Sequence, residues 1–431
     1  MHTKIFFGID SKLKAQMDSY ITAHGEPNAV CAEDSILNLW KNKKYMNKYD
    51  VISFDDAIKK FPKADVFITY AHTPTATKAA KKIAKKVSRD KIYFLAADVE
   101  YRKSCGSLGS ELMFSPSSVA TCSIESRIFK SPKVKFKKDI SVVERINIWY
   151  NLVTDIIENA RYGRSTTCDN CPRFKLGLYP KQPSIKKLLF TSDLPKSTCN
   201  FKCTYCITTE NNTWKKLRDV KGPTTRDVIK ELSQMSEFNR EDFIVYLANG
   251  EPLAGRYANE ILDILLASKW KLDIISNSGI YREKLVTLMD SGRIGYMVTS
   301  LDCGTRETFK KIKQVDRFDA VLSNLRRLPL HKIKTFYLKY IFLQDINDND
   351  AEVDAFYEIA KELKVDIMLS VNSIDKDRSN WPYTDKMRIL TENIIKKAKT
   401  DGLKVGWDEN RMHPTDQKFI RETYKNYKPV L

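Results

Sequence analysis

A chain of 431 residues is long enough for two domains, or for one barrel with an added domain. Lysine and arginine outnumber aspartate and glutamate by 73 to 54, and the formal charge of +19 favours anionic partners such as phosphorylated metabolites, nucleotide sugars, nucleic acids or acidic peptides. Nine cysteines do not suit the even disulfide framework of a secreted scaffold, and no stretch approaches the ~20 apolar residues of a membrane span. The start, Met1–Phe7, lacks the apolar core of a signal peptide. We therefore expect a cytoplasmic protein.

Residues 1–140 alternate short apolar runs with segments of helical periodicity, which is typical of a parallel α/β layer. The predicted strands are 4–9, 29–32, 50–54, 64–70 and 91–97, and the predicted helices are 12–23 and 75–87. Gly8 follows the first strand, but the further glycines of a dinucleotide fingerprint are missing. This pattern predicts a Rossmann-like α/β accessory domain whose task the sequence does not indicate.

Residues 141–185 form a predicted linker with a helix over 141–162 and a polar CxxC segment. Cys168 and Cys171 of this segment are half of a zinc or iron–sulfur site, and Cys105 and Cys122 are the candidates to complete it as an auxiliary metal site. A redox-active pair and two free thiols are the alternatives.

Residues 186–402 read as six consecutive β-α units, which predict a partial (β/α)6 TIM-like barrel. The predicted strands are 187–191, 242–247, 272–276, 296–301, 336–343 and 365–371. The predicted helices are 225–238, 257–268, 282–291, 305–311, 318–328, 350–363 and 385–399. Residues 403–431 are predicted to add an edge strand over 403–407 and a basic tail.

Three cysteines stand close together after the first barrel strand, at Cys199, Cys203 and Cys206. Three thiolates at this spacing can bind one iron–sulfur cube and leave its fourth iron open to a ligand with an amine and a carboxylate. The alternatives are a zinc site or three core thiols, although no fourth ligand for zinc is nearby in the sequence.

This CxxxCxxC spacing, with Tyr205 before the last cysteine, resembles the radical S-adenosylmethionine (SAM) enzymes. The resemblance implies a [4Fe–4S] cluster whose open iron binds SAM, with the Tyr205 position against the adenine. It also implies reductive cleavage of SAM to a 5′-deoxyadenosyl radical that abstracts hydrogen from a substrate. A flavodoxin or ferredoxin type reductant would supply the electron.

Polar motifs at the following strand ends resemble the SAM-binding segments of the same family. Gly250 and Glu251 resemble its GGEP motif, with Asn249 in place of the first glycine. The other cofactor-binding residues that the resemblance implies are Ser276 and Asn277, which resemble a TNG segment, and Ser300 and Asp302, which resemble an SLD segment. Lys339 in the fifth strand is a further candidate, which could pair with a carboxylate of cofactor or substrate. The alternative is that these are ordinary polar residues that cap helices.

Cys303 directly follows Asp302 and is a candidate catalytic residue, because radical epimerases quench a substrate radical with a cysteine S–H. The alternative is a small buried residue in a turn.

The segment 300–311 resembles radical SAM proteins met beside glycan-assembly enzymes, which favours a sugar, nucleotide sugar or glycan precursor as the anionic substrate. The reaction outcome, whether epimerisation, dehydration or oxidation, is left open. Modification of a ribosomal peptide or of RNA is the alternative for an enzyme, with nucleic acid less favoured. A non-catalytic iron–sulfur protein is the alternative outside enzymes.

Overall fold

The computed structural model forms two compact units. The first unit comprises Met1–Gly109 and Tyr150–Ser184, and the second comprises Ser110–Trp149 and Ile185–Leu431. The structure describes residues 3–8, 21–22, 25–32, 37, 44–45, 48–70, 73–95, 99–115, 117–122, 131–136, 140–162, 164–169, 171, 173–190, 199–206, 223–248, 250–372, 383–408, 415–416 and 418–419. The predicted helix 12–23 lies outside these residues except for 21–22.

The first unit is built on a largely parallel sheet. Its strands are β1 (Lys4–Phe7), β2 (Ala29–Ala32), β3 (Lys44–Tyr45), β4 (Tyr49–Ser53), β5 (Asp65–Ile68) and β6 (Ile92–Phe94), in the order β3-β4-β2-β1-β5-β6. Only β3 among them pairs antiparallel. Numbered along the chain, the parallel strands have the order 3-2-1-4-5, which is that of a Rossmann-like sheet. Helices α1 (Phe54–Lys60) and α2 (Thr73–Ile83) pack their alanines and Ile83 into its core.

A two-stranded antiparallel ribbon also belongs to the first unit, and the sequence analysis missed it. It pairs β7 (Val99–Ser104) with β11 (Lys175–Pro180). Helix α3 (Val142–Arg161) agrees with the predicted linker helix 141–162. Its residues divide between the two units at Tyr150.

The second unit contains one sheet of ten described strands. The strands that the sequence did not predict are β8 (Glu111–Ser115), β9 (Ser118–Ala120) and β10 (Lys133–Lys135). The remaining strands are β12 (Lys187–Phe190), β13 (Ile244–Leu247), β14 (Lys271–Ser276), β15 (Ile294–Ser300), β16 (Thr335–Phe342), β17 (Asp366–Val371) and β18 (Val405–Trp407). From β12 to β18 each strand pairs parallel with the next one along the chain. Parallel strands added in sequence order with helical crossovers are the construction of a partial TIM-like barrel, so the predicted fold class is confirmed.

Helices connect these parallel strands. They are α4 (Thr225–Ser233), α5 (Ala258–Ala267), α6 (Glu283–Asp290), α7 (Arg306–Lys313), α8 (Phe318–Arg327), α9 (Asp350–Leu363) and α10 (Asp385–Thr400). Short 3-10 helices occur at Arg89–Lys91, Ser236–Phe238, Pro252–Ala254 and Leu330–Lys332. Side chains of Thr224, Thr305, Asn349 and Thr384 cap the N-termini of α4, α7, α9 and α10. These caps satisfy N–H groups that a helix start leaves unpaired, and they fix where each helix begins.

The structure divides the chain differently from the predicted boundary at residue 140. Strand β8 pairs parallel with β12, so residues 111–135 extend the sheet of the second unit. In the described residues we find no helix long and apolar enough to cross a membrane.

Candidate functional site

The C-terminal ends of parallel strands bring most of the predicted site residues to one edge of the second unit's sheet. Glu251 lies just beyond β13, Ser276 and Asn277 lie at the end of β14, and Ser300 and Asp302 lie at the end of β15. In barrels of this kind, that edge carries the reactive groups.

The cysteine loop, defined here as Cys199–Cys206, is attached to the end of α7. The backbone N–H of Lys202 donates to the carbonyl of Lys313 at 3.1 Å, and that of Thr204 donates to the carbonyl of Ile312 at 2.9 Å. The ring of Phe201 meets that of Phe309 edge to face, with centroids 5.7 Å apart. The last carbonyls of a helix have no partner within the helix, so α7 offers the loop ready acceptors.

The loop also rests on the residues that follow β14. The Asn277 amide donates to Asn200 Oδ1 at 2.8 Å and to the Cys199 sulfur at 3.8 Å. A Cβ on Gly279 would lie 2.9 Å from both Asn200 Nδ2 and the Phe201 ring. Glycine at this position therefore allows the loop its close approach.

The thiols of the cysteine loop are half-buried and lie within electrostatic reach of one another. Burial, together with Cys203, Glu251 and Cys206, raises the pKa of Cys199 to about 12. Burial also raises the pKa of Cys203, which the Lys313 ammonium opposes. Thiols held in this way become thiolates when metal cations bind them. The donor set of three thiols fits an iron–sulfur cluster.

Within the described part of the chain, no three His, Cys, Asp or Glu side chains lie close enough to hold a single metal ion. Ligands of a cluster bind different irons and stand further apart than the ligands of one ion, so this finding does not bear on a cluster.

Glu251 is fully buried and contacts Ser276 and Asn277, at the end of β14, where the cysteine loop rests. Its carboxylate accepts hydrogen bonds from the Asn277 N–H, from the Ser276 hydroxyl at 2.9 Å and from the Leu253 N–H at 3.1 Å. Burial raises the pKa of Glu251 to about 7, against the lowering effect of these hydrogen bonds. Gly250 precedes it with a φ of 64°, a left-handed conformation suited to glycine, and is exposed.

Asp302 is also fully buried, and both of its carboxylate oxygens have partners. Its Oδ1 accepts from the Ile341 N–H at 2.9 Å, and its Oδ2 accepts from Lys313 Nζ and from the Tyr205 hydroxyl at 2.5 Å. Lys313 Nζ also donates to the Tyr205 oxygen at 2.7 Å. Tyr205 is thus tied to Asp302, while the predicted contacts of Asp302 and Tyr205 with SAM stay predictions.

Sequence reasoning missed Lys313, which is only 1% exposed. Burial lowers the pKa of its ammonium, but Asp302 and Cys203 outweigh burial and the pKa lies above its ordinary value. The signal was present in α7, because Phe309, Ile312 and Lys313 have the spacing of one buried helix face. A lysine on such a face requires a charged partner.

Lys339 and Cys303 are buried as well. Lys339 pairs with Asp408, with Nζ and Oδ2 3.1 Å apart, so its predicted pairing with a carboxylate of cofactor or substrate stays a prediction. Cys303 is 0% exposed, its S–H points to the Leu301 carbonyl at 3.4 Å, and burial raises the pKa of its thiol. This environment matches the alternative of a small buried residue, and hydrogen donation by Cys303 stays an untested prediction.

Cys168 is buried and Cys171 is half-buried, and the Cys171 N–H donates to the Cys168 carbonyl at 2.9 Å. Cys105 belongs to the same unit, whereas Cys122 belongs to the second. The auxiliary metal site stays a prediction, which the metal content of a Cys168→Ala/Cys171→Ala protein would test.

Residues 195–360 match the family model described as the radical SAM superfamily. The chain is 30% identical over 168 residues to a GTP 3′,8-cyclase of Chlorobaculum tepidum, and this alignment covers 38% of this chain and 48% of that protein. It is 24% identical over 277 residues to the dual-specificity RNA methyltransferase RlmN of Desulfotalea psychrophila, and this alignment covers 56% of this chain and 70% of that protein. The chain thus spans only about half of the cyclase.

Among solved structures, Streptococcus suis SuiB bound to S-adenosylmethionine aligns with a TM-score of 0.39 and 14% identity. The alignment covers 64% of this chain and 55% of SuiB.

Proposed function

Residues 195–360 belong to the radical SAM superfamily, and on that premise we propose that the protein is a radical SAM enzyme whose cysteine loop holds a [4Fe–4S] cluster. The observation that carries this proposal is the double role of Asn277. Its side chain binds the cysteine loop, and its backbone N–H binds the buried carboxylate of Glu251. Asn277 therefore connects Cys199, a proposed cluster ligand, with Glu251, whose carboxylate would bind SAM.

The superfamily's cofactors are a [4Fe–4S] cluster and SAM, which supply a one-electron reduction and a radical able to take a hydrogen atom from a substrate. Cys199, Cys203 and Cys206 would ligate the cluster. Glu251 would receive the ammonium of SAM, and the exposed backbone of Gly250 would lie along it. Ser276 and Asn277 orient Glu251, since both donate to its carboxylate. A flavodoxin or ferredoxin type protein would deliver the electron.

The proposed activity predicts 5′-deoxyadenosine formation from SAM by the anaerobically reconstituted protein with a strong reductant. The matched control is Cys203→Ala, which lacks one cluster ligand. We expect the product from the wild type alone. Equal amounts from both proteins, or none from a wild type that holds its cluster and is given candidate substrates, would contradict the proposal.

For the substrate, we propose an anionic molecule, with a nucleotide sugar or glycan precursor first. The charge of +19 supports an anion. The resemblance of segment 300–311 to proteins found beside glycan-assembly enzymes supports a sugar. The name of one relative, GTP 3′,8-cyclase, supports a substrate that contains a nucleotide. Hydrogen abstraction from a nucleotide sugar labelled with deuterium on its sugar ring would carry the label into 5′-deoxyadenosine.

RNA is the second candidate substrate, and the similarity to the RNA methyltransferase RlmN favours it. RNA binding through lysine and arginine contacts with phosphates weakens steeply as salt rises. A gel-shift titration at two salt concentrations measures this. An affinity for RNA that does not change with salt, or no affinity at low salt, would exclude RNA as the substrate.

A further inference from the structure

A cavity of about 670 Å³ lies within the first unit, which contains none of the motifs that the radical chemistry would use. Residues of β6, β7, β11, the end of α3 and the segment 164–169 line it. Its volume is within the range of pockets that bind small ligands. The cavity therefore has the size of a ligand site that the proposed function leaves unused.

Cations outnumber carboxylates in the wall of this cavity. The cations are Arg102, Lys103, Arg161, Arg164 and Lys181, and the carboxylates are Asp90, Glu100 and Asp169. Each carboxylate already has donors within the unit. Glu100 pairs with Arg161 at 2.6 Å and with Arg102 at 3.1 Å, while Asp169 accepts from the Thr166 N–H at 2.8 Å and Asp90 from the Ser88 hydroxyl. The wall thus favours an anion.

Arg102 adds a buried positive charge to this wall. It is only 5% exposed, its Nη2 donates to the Pro180 carbonyl at 2.7 Å, and its Nε faces Glu100. Its Nη1 has no hydrogen-bond acceptor among the described residues. A buried guanidinium without a full set of acceptors is costly, and its charge behind the cavity wall adds to the attraction for an anion in the cavity.

The wall also contains two exposed apolar side chains. Tyr93 and Leu176 line the cavity with 43% and 39% of their surface exposed, which puts them among the exposed large hydrophobic residues of the described chain. The Tyr93 ring stacks on Phe67 with centroids 4.9 Å apart, and this fixes the ring's plane. A fixed aromatic ring beside a cationic wall suits a ligand with a planar part and an anionic part.

We propose that this cavity binds a nucleotide-sized phosphorylated ligand. Its phosphoryl oxygens contact Lys103 and Arg164, with the buried charge of Arg102 behind them, and its planar base lies against Tyr93 and Leu176. The proposal goes beyond the proposed function and holds whether or not residues 195–360 cleave SAM.

The test is isothermal titration of the full chain, without SAM, using uridine diphosphate and inorganic pyrophosphate as probes. The variant is Lys103→Met/Arg164→Met, because both side chains are exposed and their replacement should leave the fold intact. The matched control is Lys78→Met, an exposed lysine of α2 that does not line the cavity. Circular dichroism checks folding.

We expect both probes to bind the wild type, and the double variant to bind them about tenfold or more weakly, since charged hydrogen bonds are lost. Lys78→Met should match the wild type. Tyr93→Ala should weaken the binding of uridine diphosphate more than the binding of pyrophosphate. No binding to the wild type at millimolar probe, or equal binding by the double variant, would overturn the site. An equal effect of Tyr93→Ala on both probes would overturn the placement of the base.

Discussion

Lys313 joins the cysteine loop to the interior of the second unit in two ways. Its carbonyl accepts the Lys202 N–H, and its ammonium donates to Tyr205 and Asp302. The ammonium also acts on Cys203, because it opposes the rise of that thiol's pKa. A buried positive charge beside a cluster ligand stabilises an added electron, so we expect Lys313 to raise the cluster's reduction potential.

The variant Lys313→Met should lower the cluster's reduction potential by on the order of 50 mV or more, because the buried cation is lost. A redox titration followed by electron paramagnetic resonance (EPR) measures this without substrate turnover. The control is Lys313→Met/Asp302→Asn, which removes both charges of the pair and should return the potential toward that of the wild type. If the reduction potential stays low in this double variant, the decrease in Lys313→Met comes from damage to the cysteine loop and not from the lost charge.

Glu251 should make SAM binding depend on pH. Its pKa lies near 7 because the carboxyl group is buried. Below pH 7 it becomes protonated and would no longer attract the ammonium of SAM, so the dissociation constant should rise by up to about tenfold per pH unit.

Equilibrium binding of SAM to the unreduced protein between pH 5.5 and 8 measures this dependence. The Glu251→Gln protein is the control, since the ammonium of SAM titrates equally in both proteins. The same pH profile in both would refute a direct role for Glu251.

At the scale of elements, the cysteine loop depends on α7 and on the turn after β14. Gly279→Ala should weaken this support, because the added Cβ would lie 2.9 Å from Asn200 and Phe201. Overpacking of this kind costs about 1–3 kcal/mol. We expect a clear loss of bound iron after reconstitution, measured by iron and sulfide assay.

Gly106→Ala is the matched control for this substitution, because a Cβ there has no neighbour within 4 Å. It should hold as much iron as the wild type. Full iron content in Gly279→Ala would mean that the loop does not require this close approach.

The sequence predicted the barrel elements well, because local periodicity marks them. Helix α9 (Asp350–Leu363) has the predicted bounds, and β12 to β17 agree with prediction to within a few residues. Strands β8 to β10 were missed, since they are short and join the sheet only through the pairing of β8 with β12, far along the chain. The grouping of the site residues followed from strand ends, but the pairing of Lys313 with Asp302 depends on tertiary contacts that periodicity does not reveal.

At the scale of the whole molecule, the two units have separate roles in this account. The second unit carries the cysteine loop and the strand-end residues, and the first carries the cationic cavity. The formal charge of +19 favours the binding of anionic ligands, and salt should weaken this binding.

The central claim is that three thiols hold a four-iron cluster whose open iron binds SAM. The most direct measurement is the EPR spectrum of the reduced, reconstituted protein before and after addition of SAM. We predict a [4Fe–4S] signal that changes shape with SAM. A complete cluster whose spectrum stays the same at saturating SAM would contradict the account and leave the cluster a structural role.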